Sequence, residues 1–220
     1  MKSWEKIQSP INNQATKPYY DCIKRKWFYR CVKRGFDFLA SLILLAILFV
    51  PSVFISLIIV IDSRGGIFFR QTRVGRYGKP FKILKFRTMV KNSEGDRQIT
   101  SQNDSRITRV GRFLRKTHLD EFPQLLNVIV GQMSFVGTRP EVKKYVDLYE
   151  DKWNATLLMR PGITSTASYS CDDEAKFMTS ENAHDVYLEK ILPFKMNLNL
   201  EDIKHLSIFR DIKIMWKTVF

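Results

Sequence analysis

Cysteine and histidine are scarce in this chain, and neither is spaced for metal binding. Cys22, Cys31 and Cys171 form no C-x-x-C pair. Their odd number gives neither a disulfide framework nor a zinc site and suits a reducing compartment. His118, His184 and His205 are scattered, which argues against a histidine-built metal centre. No G-x-x-x-x-G-K-S/T is present and no G-x-G-x-x-G opens a helix, so neither an ATPase nor a dinucleotide enzyme is supported. Helix-turn-helix, zinc-finger and RNP-type aromatic motifs are also missing, which weighs against a nucleic-acid partner. There are no internal repeats.

What is abundant is positive charge. The 220 residues carry 36 Lys and Arg against 22 Asp and Glu, a formal net charge of +14. Such an excess points to an anionic partner: nucleic acid, an acidic membrane surface or a phosphorylated substrate. The length suits one domain with a core of its own plus an appendage.

The second feature in excess is apolar length. From Phe38 to Ile61 the chain reads FLASLILLAILFVPSVFISLIIVI, 24 residues without a charge. Length alone indicates a membrane helix, since about 20 apolar residues cross a bilayer. The run starts too late and is too long for a signal peptide, and no small-x-small cleavage site follows it. Pro51 lies inside it, and proline removes a backbone donor and kinks or breaks a helix. Phe38 to Val50 reaches only about 20 Å as helix, short of the hydrocarbon core. Both flanks are basic: Lys24, Arg25, Lys26, Arg30, Lys33 and Arg34 before, then Arg64, Arg70, Arg73, Arg76, Lys79 and Lys82 after. Positive flanks stay cytoplasmic, and a crossing helix satisfies only one of them. The expectation is therefore a helix-break-helix that enters and leaves by the same face, with a kinked span as the alternative. Ser52 or Ser56 is placed to meet backbone groups freed at the break.

Around this run, MKSWEKIQSPINNQATKPYY reads as a flexible tail, and Trp27, Phe28 and Tyr29 suit the membrane interface. GIFFRQTRVGRYGKPFKILKFRTM predicts two strands about a Gly-containing turn. KNSEGDRQITSQNDSR reads as a loop and ITRVGRFLRKTH as a basic, partly helical approach. A helix is expected over Leu119–Val130, with Pro123 near its first turn. GQMSFVGTRPE reads as strand and loop, VKKYVDLYEDKWNATLLM has helical spacing, and RPGITSTASYS is turn-rich with strand propensity. Near the end, Leu200, Ile203, Leu206, Phe209, Ile212, Met215, Trp216 and Val219 recur at helical intervals. That pattern fits a helix on an acidic bilayer or one packed on the core.

Two clusters can carry chemistry. RKTHLDEFPQ sets Asp120 beside Glu121 at a helix start, with Thr117 placed to cap. Acids there are stabilised by the helix dipole, a structural role that needs no catalysis. But neighbouring helical residues point about 100° apart, so one acid can face a substrate while the other meets a cation. Arg112, Arg115, Lys116 and Arg139 crowd the same region. A carboxylate held ionised among cations is a usable nucleophile, with a clamped phosphorus its natural target. In KILKFRTM, a strand over Lys82–Met89 puts Lys85 and Arg87 on one face, a phosphate cradle or else a solvated basic edge.

Taken together these stretches resemble the bacterial sugar transferase family of monotopic polyprenol-phosphate phosphoglycosyl transferases. The resemblance runs through KRGFDFLAS, GGIFFRQTRVGRYGKPFKILKFRTM, DSRITRVGRFLRKTHLDEFPQLLNVIVGQMSFVGTRPE and RPGITS, with DIKIMWKTV at the end. It implies transfer of a sugar 1-phosphate from a UDP-sugar to undecaprenyl phosphate with release of UMP. In that scheme Asp120 is the nucleophile that forms a covalent phosphosugar. Glu121, with Asp120, holds Mg²⁺, and Lys85, Arg87, Arg115 and Arg139 position phosphates. Pro51 breaks the re-entrant helix, where the family's usual Ser-Pro pair is here Val50-Pro51-Ser52. His118, Thr138 and the residues from Ser165 also depart from the family pattern, and the last of these bears on sugar selection.

The expectation is thus an α/β protein with a single compact catalytic domain. Residues 1–32 form a basic extension, 33–62 a re-entrant membrane helix, and 63–220 a cytoplasmic domain ending in an amphipathic interfacial helix. Its place is the cytoplasmic face of the bacterial inner membrane, in contact with lipid and without nucleic acid. The competing reading is a basic membrane-bound protein that recruits acidic partners.

Overall fold

The computed structural model describes residues 1–90, 104–170 and 183–219. Residues 91–103 of the loop expected over 91–106, and residues 171–182 around Cys171, lie outside the described residues.

The N-terminal residues are packed rather than loose. Ile7, Ile11, Tyr20 and Ile23 are buried in the largest apolar cluster, and the buried Thr16 hydroxyl donates to Ile11 O at 2.6 Å. The sequence reading of a flexible tail is corrected here. Scattered apolar residues in a polar stretch have no periodicity, yet each finds a pocket. Tyr20 and Ile23 lie on helix α1, Lys17–Arg25. Their partners include Trp153 and Leu158 from a 3₁₀ segment, Asp151–Leu158, and Leu192, Met196, Leu200 and Ile203 on α8, Leu192–Lys204.

The apolar run lies in one helix, α2, Trp27–Asp62, long and apolar enough to cross a membrane. Its helical structure continues through Pro51, where a break is expected. Ser56 Oγ donates to Ser52 O at 2.7 Å, a back-bond to its own preceding turn rather than to Ile47 O, the carbonyl that Pro51 leaves without a donor. Leu39, Ile43, Ile47, Phe49, Phe54 and Ile61 all point outward, leaving an apolar surface that only lipid or another apolar partner can cover.

Both ends of α2 dock on one body. Near its start, Arg34 donates to Val128 O at 2.6 Å and Ile129 O at 2.8 Å. Lys33 meets Asp211 at 2.7 Å, and Asp37 accepts from Phe135 N at 3.3 Å. At its far end, Ile59 packs with Phe86 and Leu114, and Asp62 accepts from Val110 N at 3.2 Å. Straight, 36 residues of helix measure about 54 Å. The elements that receive the two ends are themselves joined: Asn127 donates to Lys82 O at 2.9 Å and accepts from Leu84 N at 3.1 Å.

The strands are as expected for the first pair: β1, Phe68–Val74, runs antiparallel to β2, Pro80–Phe86. The reversal between them uses positive φ at Tyr77 and Gly78. Next come α3, Arg109–Lys116, and α4, Gln124–Ile129. Short strands β3, Ser134–Val136, and β4, Gly162–Thr164, pair in parallel. Between them lies α5, Lys143–Val146, and after them α6, Thr166–Ser170, and α7, Ala183–Val186. The chain is thus a mixed helix–strand fold, with two separate two-stranded sheets among the described residues rather than one layered sheet.

Three expected elements differ. The helix expected over Leu119–Val130 is a 3₁₀ turn, Leu119–Glu121, followed by α4. Thr117 does not cap it; its hydroxyl donates back to Phe113 O at 2.9 Å at the end of α3. After RPGIT, the residues read as strand-prone form α6, because Ser165 Oγ accepts from Ser168 N at 3.1 Å and starts a helix.

At the C-terminus the apolar positions divide between core and surface. Leu200, Ile203 and Leu206 are core, whereas on α9, Ile208–Val219, Phe209 is 86% and Trp216 64% exposed. The inner face of α9 buries Ile214 and Asp211, the latter accepting from Tyr29 Oη at 2.8 Å.

Candidate active site

The acid pair sits on a sharp corner. The end of α3 turns through His118, whose φ of 55° is left-handed and reverses the chain within one residue. The 3₁₀ turn Leu119–Glu121 follows directly. Leu119 and Phe122 pack against the Ile59, Phe86 and Leu114 cluster, so apolar anchors on both sides fix the two acids between them.

β2 brings Lys85 to this corner. Its Nζ donates to Glu121 Oε1 at 2.6 Å, and Arg139 Nη2 donates to the same oxygen at 2.5 Å. Burial alone raises a carboxyl's pKa, but the two cations outweigh it and hold Glu121 far below the usual range. Asp120 behaves oppositely. It is buried, and among the described residues its carboxylate accepts no hydrogen bond and joins no ion pair. Burial raises its pKa and Glu121 adds to this, against the attraction of Lys85, Arg115 and Arg139. Two adjacent acids are therefore split into a neutralised one and an unpartnered one.

Arg115 lies in the field of Asp120, with its Nε donating to Thr88 Oγ1 at 2.8 Å. Arg87 is turned elsewhere. Just past the end of β2, it donates to Ser63 O at 2.6 Å and Arg64 O at 2.8 Å, satisfying carbonyls after α2. Of the four cations proposed from sequence, the structure gathers Lys85, Arg139 and Arg115 about the acid pair, while Arg87 is spent on carbonyls at the end of α2. Pro51 is remote from it in sequence and lies within the outward-facing length of α2.

Two features of the site had no sequence signal of their own. One is Thr88, whose carbonyl accepts from Thr108 N at 3.0 Å while its hydroxyl receives Arg115. A Cβ on Gly111 would come within 2.1 Å of Thr88 O, so only glycine lets α3 approach this closely. The other is Arg73, which donates to Pro140 O at 3.0 Å and braces the loop carrying Arg139. Thr138 lies in the same loop and accepts from Gly162 N at 3.0 Å, which ties GTRPE to RPGIT. His118 is exposed and Ser165 buried.

The donor set suits magnesium. Mg²⁺ keeps several waters and binds through one or two carboxylates together with substrate phosphates. Asp120 is unpartnered, and Glu121 Oε2 takes no hydrogen bond among the described residues. No group of three or more His, Cys, Asp and Glu side chains gathers among the described residues, so the two carboxylates would fill only part of a metal's coordination.

Comparison with known proteins gives the family. Residues 28–220 match the model of the bacterial sugar transferase family. The UDP-glucose:undecaprenyl-phosphate glucose-1-phosphate transferase of Escherichia coli (strain K12) is 37% identical over 96% of this chain and 44% of its own length. The UDP-N-acetylgalactosamine-undecaprenyl-phosphate N-acetylgalactosaminephosphotransferase of Aeromonas hydrophila is 34% identical over 87% of this chain and 43% of its own. The exopolysaccharide production protein ExoY of Rhizobium meliloti (strain 1021) is 34% identical over 85% of this chain and 83% of its own. The chain therefore spans less than half of the first two relatives and most of the third. With the family model covering nearly all of α2, the acid pair and its cations, this chain belongs to the bacterial sugar transferase family.

Proposed function

We propose that this protein transfers a sugar 1-phosphate from a UDP-sugar to undecaprenyl phosphate, the first membrane step of a surface polysaccharide or glycoconjugate. The observation that carries the reading is the division of labour between the acids. Glu121 is matched by Lys85 and Arg139, while Asp120 beside it is buried and unpartnered. The names of the relatives from Escherichia coli and Aeromonas hydrophila supply the substrate class.

The steps balance as follows. An ionised Asp120 oxygen attacks the sugar-linked phosphorus of the UDP-sugar. The bond between that phosphorus and the bridging oxygen breaks, and UMP leaves with the electron pair. A phosphate oxygen of the acceptor lipid then attacks the same phosphorus and expels Asp120 as carboxylate. Arg139, Lys85 and Arg115 neutralise the phosphates, and exchanging Glu121 for a diphosphate oxygen keeps both Lys85 and Arg139 paired throughout. Glu121 and Asp120 would hold Mg²⁺, which would supply charge neutralisation at the diphosphate. Burial of Asp120 excludes water, which otherwise hydrolyses the covalent phosphosugar.

The membrane arrangement belongs to the same proposal. Both ends of α2 are held by one catalytic body, and both flanks are basic. A helix that enters and leaves by the cytoplasmic face of the inner membrane satisfies these facts together. The exposed Phe209 and Trp216 face of α9 then lies on the same surface.

UMP release with UDP-sugars, Mg²⁺ and undecaprenyl phosphate tests the chemistry, and a panel of UDP-sugars identifies the donor. Without acceptor, mass spectrometry is expected to find the phosphosugar on Asp120; active enzyme that never yields this adduct overturns the mechanism. Topology is tested on a chain whose native cysteines are replaced, with single cysteines placed at either flank of α2. Neither flank is expected to react with an impermeant reagent outside intact cells, and labelling of one flank alone shows a crossing.

A further inference from the structure

A second concentration of cations lies at the other end of α4. Helix C-termini leave carbonyls unsatisfied, and here arginines supply the donors. Arg34 reaches Val128 O and Ile129 O, and Arg160 Nε donates to Gly131 O at 2.8 Å. A Cβ on Gly131 would lie 3.4 Å from Arg34 Nη2 and 3.9 Å from Arg160 Nε, so these guanidinium groups share one small space. Arg76 Nε donates to Leu158 O at 2.9 Å, two residues before Arg160. Arg30 stands one turn before Arg34 on α2, and its buried Nε has no partner.

None of these four arginines forms an ion pair among the described residues. The carboxylate most felt by Arg160 is Asp37, which is already engaged by Phe135 N. Burial pulls the pKa of Arg76 down, and the positive fields of Arg160 and Arg30 add to it; Arg160 is lowered by burial and by Arg34. The helix C-terminus offers only about half a negative charge. Four cations are thus held together with too little negative charge to balance them.

Their height is set by α2. The Arg34 guanidinium lies 5.9 Å from the centroid of Phe38, the first residue of the charge-free run. This is the level of lipid headgroups, and the exposed Trp27 and Phe28 one to two turns earlier are suited to the same zone. The helix between the acid pair and this patch, α4, is about 9 Å long. An acceptor phosphate seated here is out of bonding range of Asp120.

We propose that Arg30, Arg34, Arg76 and Arg160 form a binding site for the phosphodiester of an anionic phospholipid, at the bilayer surface and apart from the carboxylate site. The lipid phosphate supplies the missing negative charge and fixes the depth and tilt of α2 against the catalytic body. The inference rests on α2 being in the membrane and not on the chemistry proposed for Asp120, so UMP release and lipid retention fail independently.

The test is native mass spectrometry of the full chain in detergent, titrated with phosphatidylglycerol, phosphatidylcholine or undecaprenyl phosphate. Phosphatidylglycerol is expected to be retained in preference to phosphatidylcholine. Each cation near an anionic lipid contributes roughly a fivefold factor, so the Arg30→Gln/Arg76→Gln pair weakens retention about 25-fold. Arg30→Gln alone removes no hydrogen bond made among the described residues and is expected to weaken it about fivefold. An unchanged melting temperature in phosphatidylcholine micelles verifies the fold of each variant. Equal retention of both phospholipids, or wild-type retention by the variants, overturns the proposal. So does retention of undecaprenyl phosphate in place of phosphatidylglycerol, which assigns the patch to the acceptor.

Discussion

The two ends of α4 hold cations in opposite ways. At its start, Lys85 and Arg139 share Glu121, so the cluster is balanced and needs no outside anion to be stable. At its end, Arg34, Arg76 and Arg160 donate to backbone carbonyls, the Arg30 side chain makes no hydrogen bond among the described residues, and the charge is left over. The difference separates two ways of binding phosphate. A balanced cluster can pass a substrate's phosphates through by exchanging partners, because Glu121 restores neutrality when product leaves. An unbalanced cluster suits a resident anion. The remaining carboxylate at the balanced end, Asp120, is the one group there free to react.

The comparison can be broken most sharply at Asp120. Replacing it with asparagine keeps the shape and removes the proposed nucleophile, so UMP release is expected to fall about 10³-fold or more, with no covalent phosphosugar. Next is Glu121→Gln, which leaves Lys85 facing Arg139. Removing one partner of a buried pair costs about 3 kcal/mol, the low end of the usual range because the Arg139 side chain is 43% exposed and can rehydrate. Denaturant unfolding measures the loss, and an unchanged stability shows that the cluster is not balanced by Glu121. Gly111→Ala is expected to cost about 2 kcal/mol, since its Cβ meets the Thr88 carbonyl at 2.1 Å and α3 has to move.

A pH profile sharpens the same contrast. In the proposed mechanism Asp120 must be ionised to attack, and burial with Glu121 raises its pKa above the ordinary 3.8. Adduct formation is therefore complete well above that value and falls as pH drops through the raised one. Lys85→Met removes the strongest field opposing the rise, so the acid limb moves to higher pH. A limb that stays put shows that Lys85 does not act on Asp120. The smallest effect belongs to the other cluster. Arg30→Gln deletes one of four like charges, and without anionic lipid its stability is expected to stay within about 0.5 kcal/mol of wild type.

Much of the acid-rich end was legible in the sequence because its parts are local. Asp120 and Glu121 are neighbours, and the hairpin that presents Lys85 is declared by alternating residues about a glycine turn. Arg87 shows the limit of that reasoning. Alternation puts it on the same face as Lys85, yet β2 ends at Phe86 and the next side chain turns to Ser63 and Arg64. The arginine patch was less legible still. Its members come from α2, the β1–β2 turn and the approach to β4, and nothing in a linear chain brings positions 30, 76 and 160 together.

The sequence by itself determined the apolar length of α2, the basic flanks, the first hairpin and the adjacent acids. Each follows from spacing or composition over a few residues, where chain geometry leaves few choices. Only the tertiary structure decided which acid is neutralised and which stays free, that Ile7, Ile11, Tyr20 and Ile23 anchor the N-terminal stretch in the core, and that both ends of α2 rest on one body. Those outcomes depend on burial and on charges far apart along the chain, and their energies exist only after folding excludes water and brings them within a few ångströms of each other.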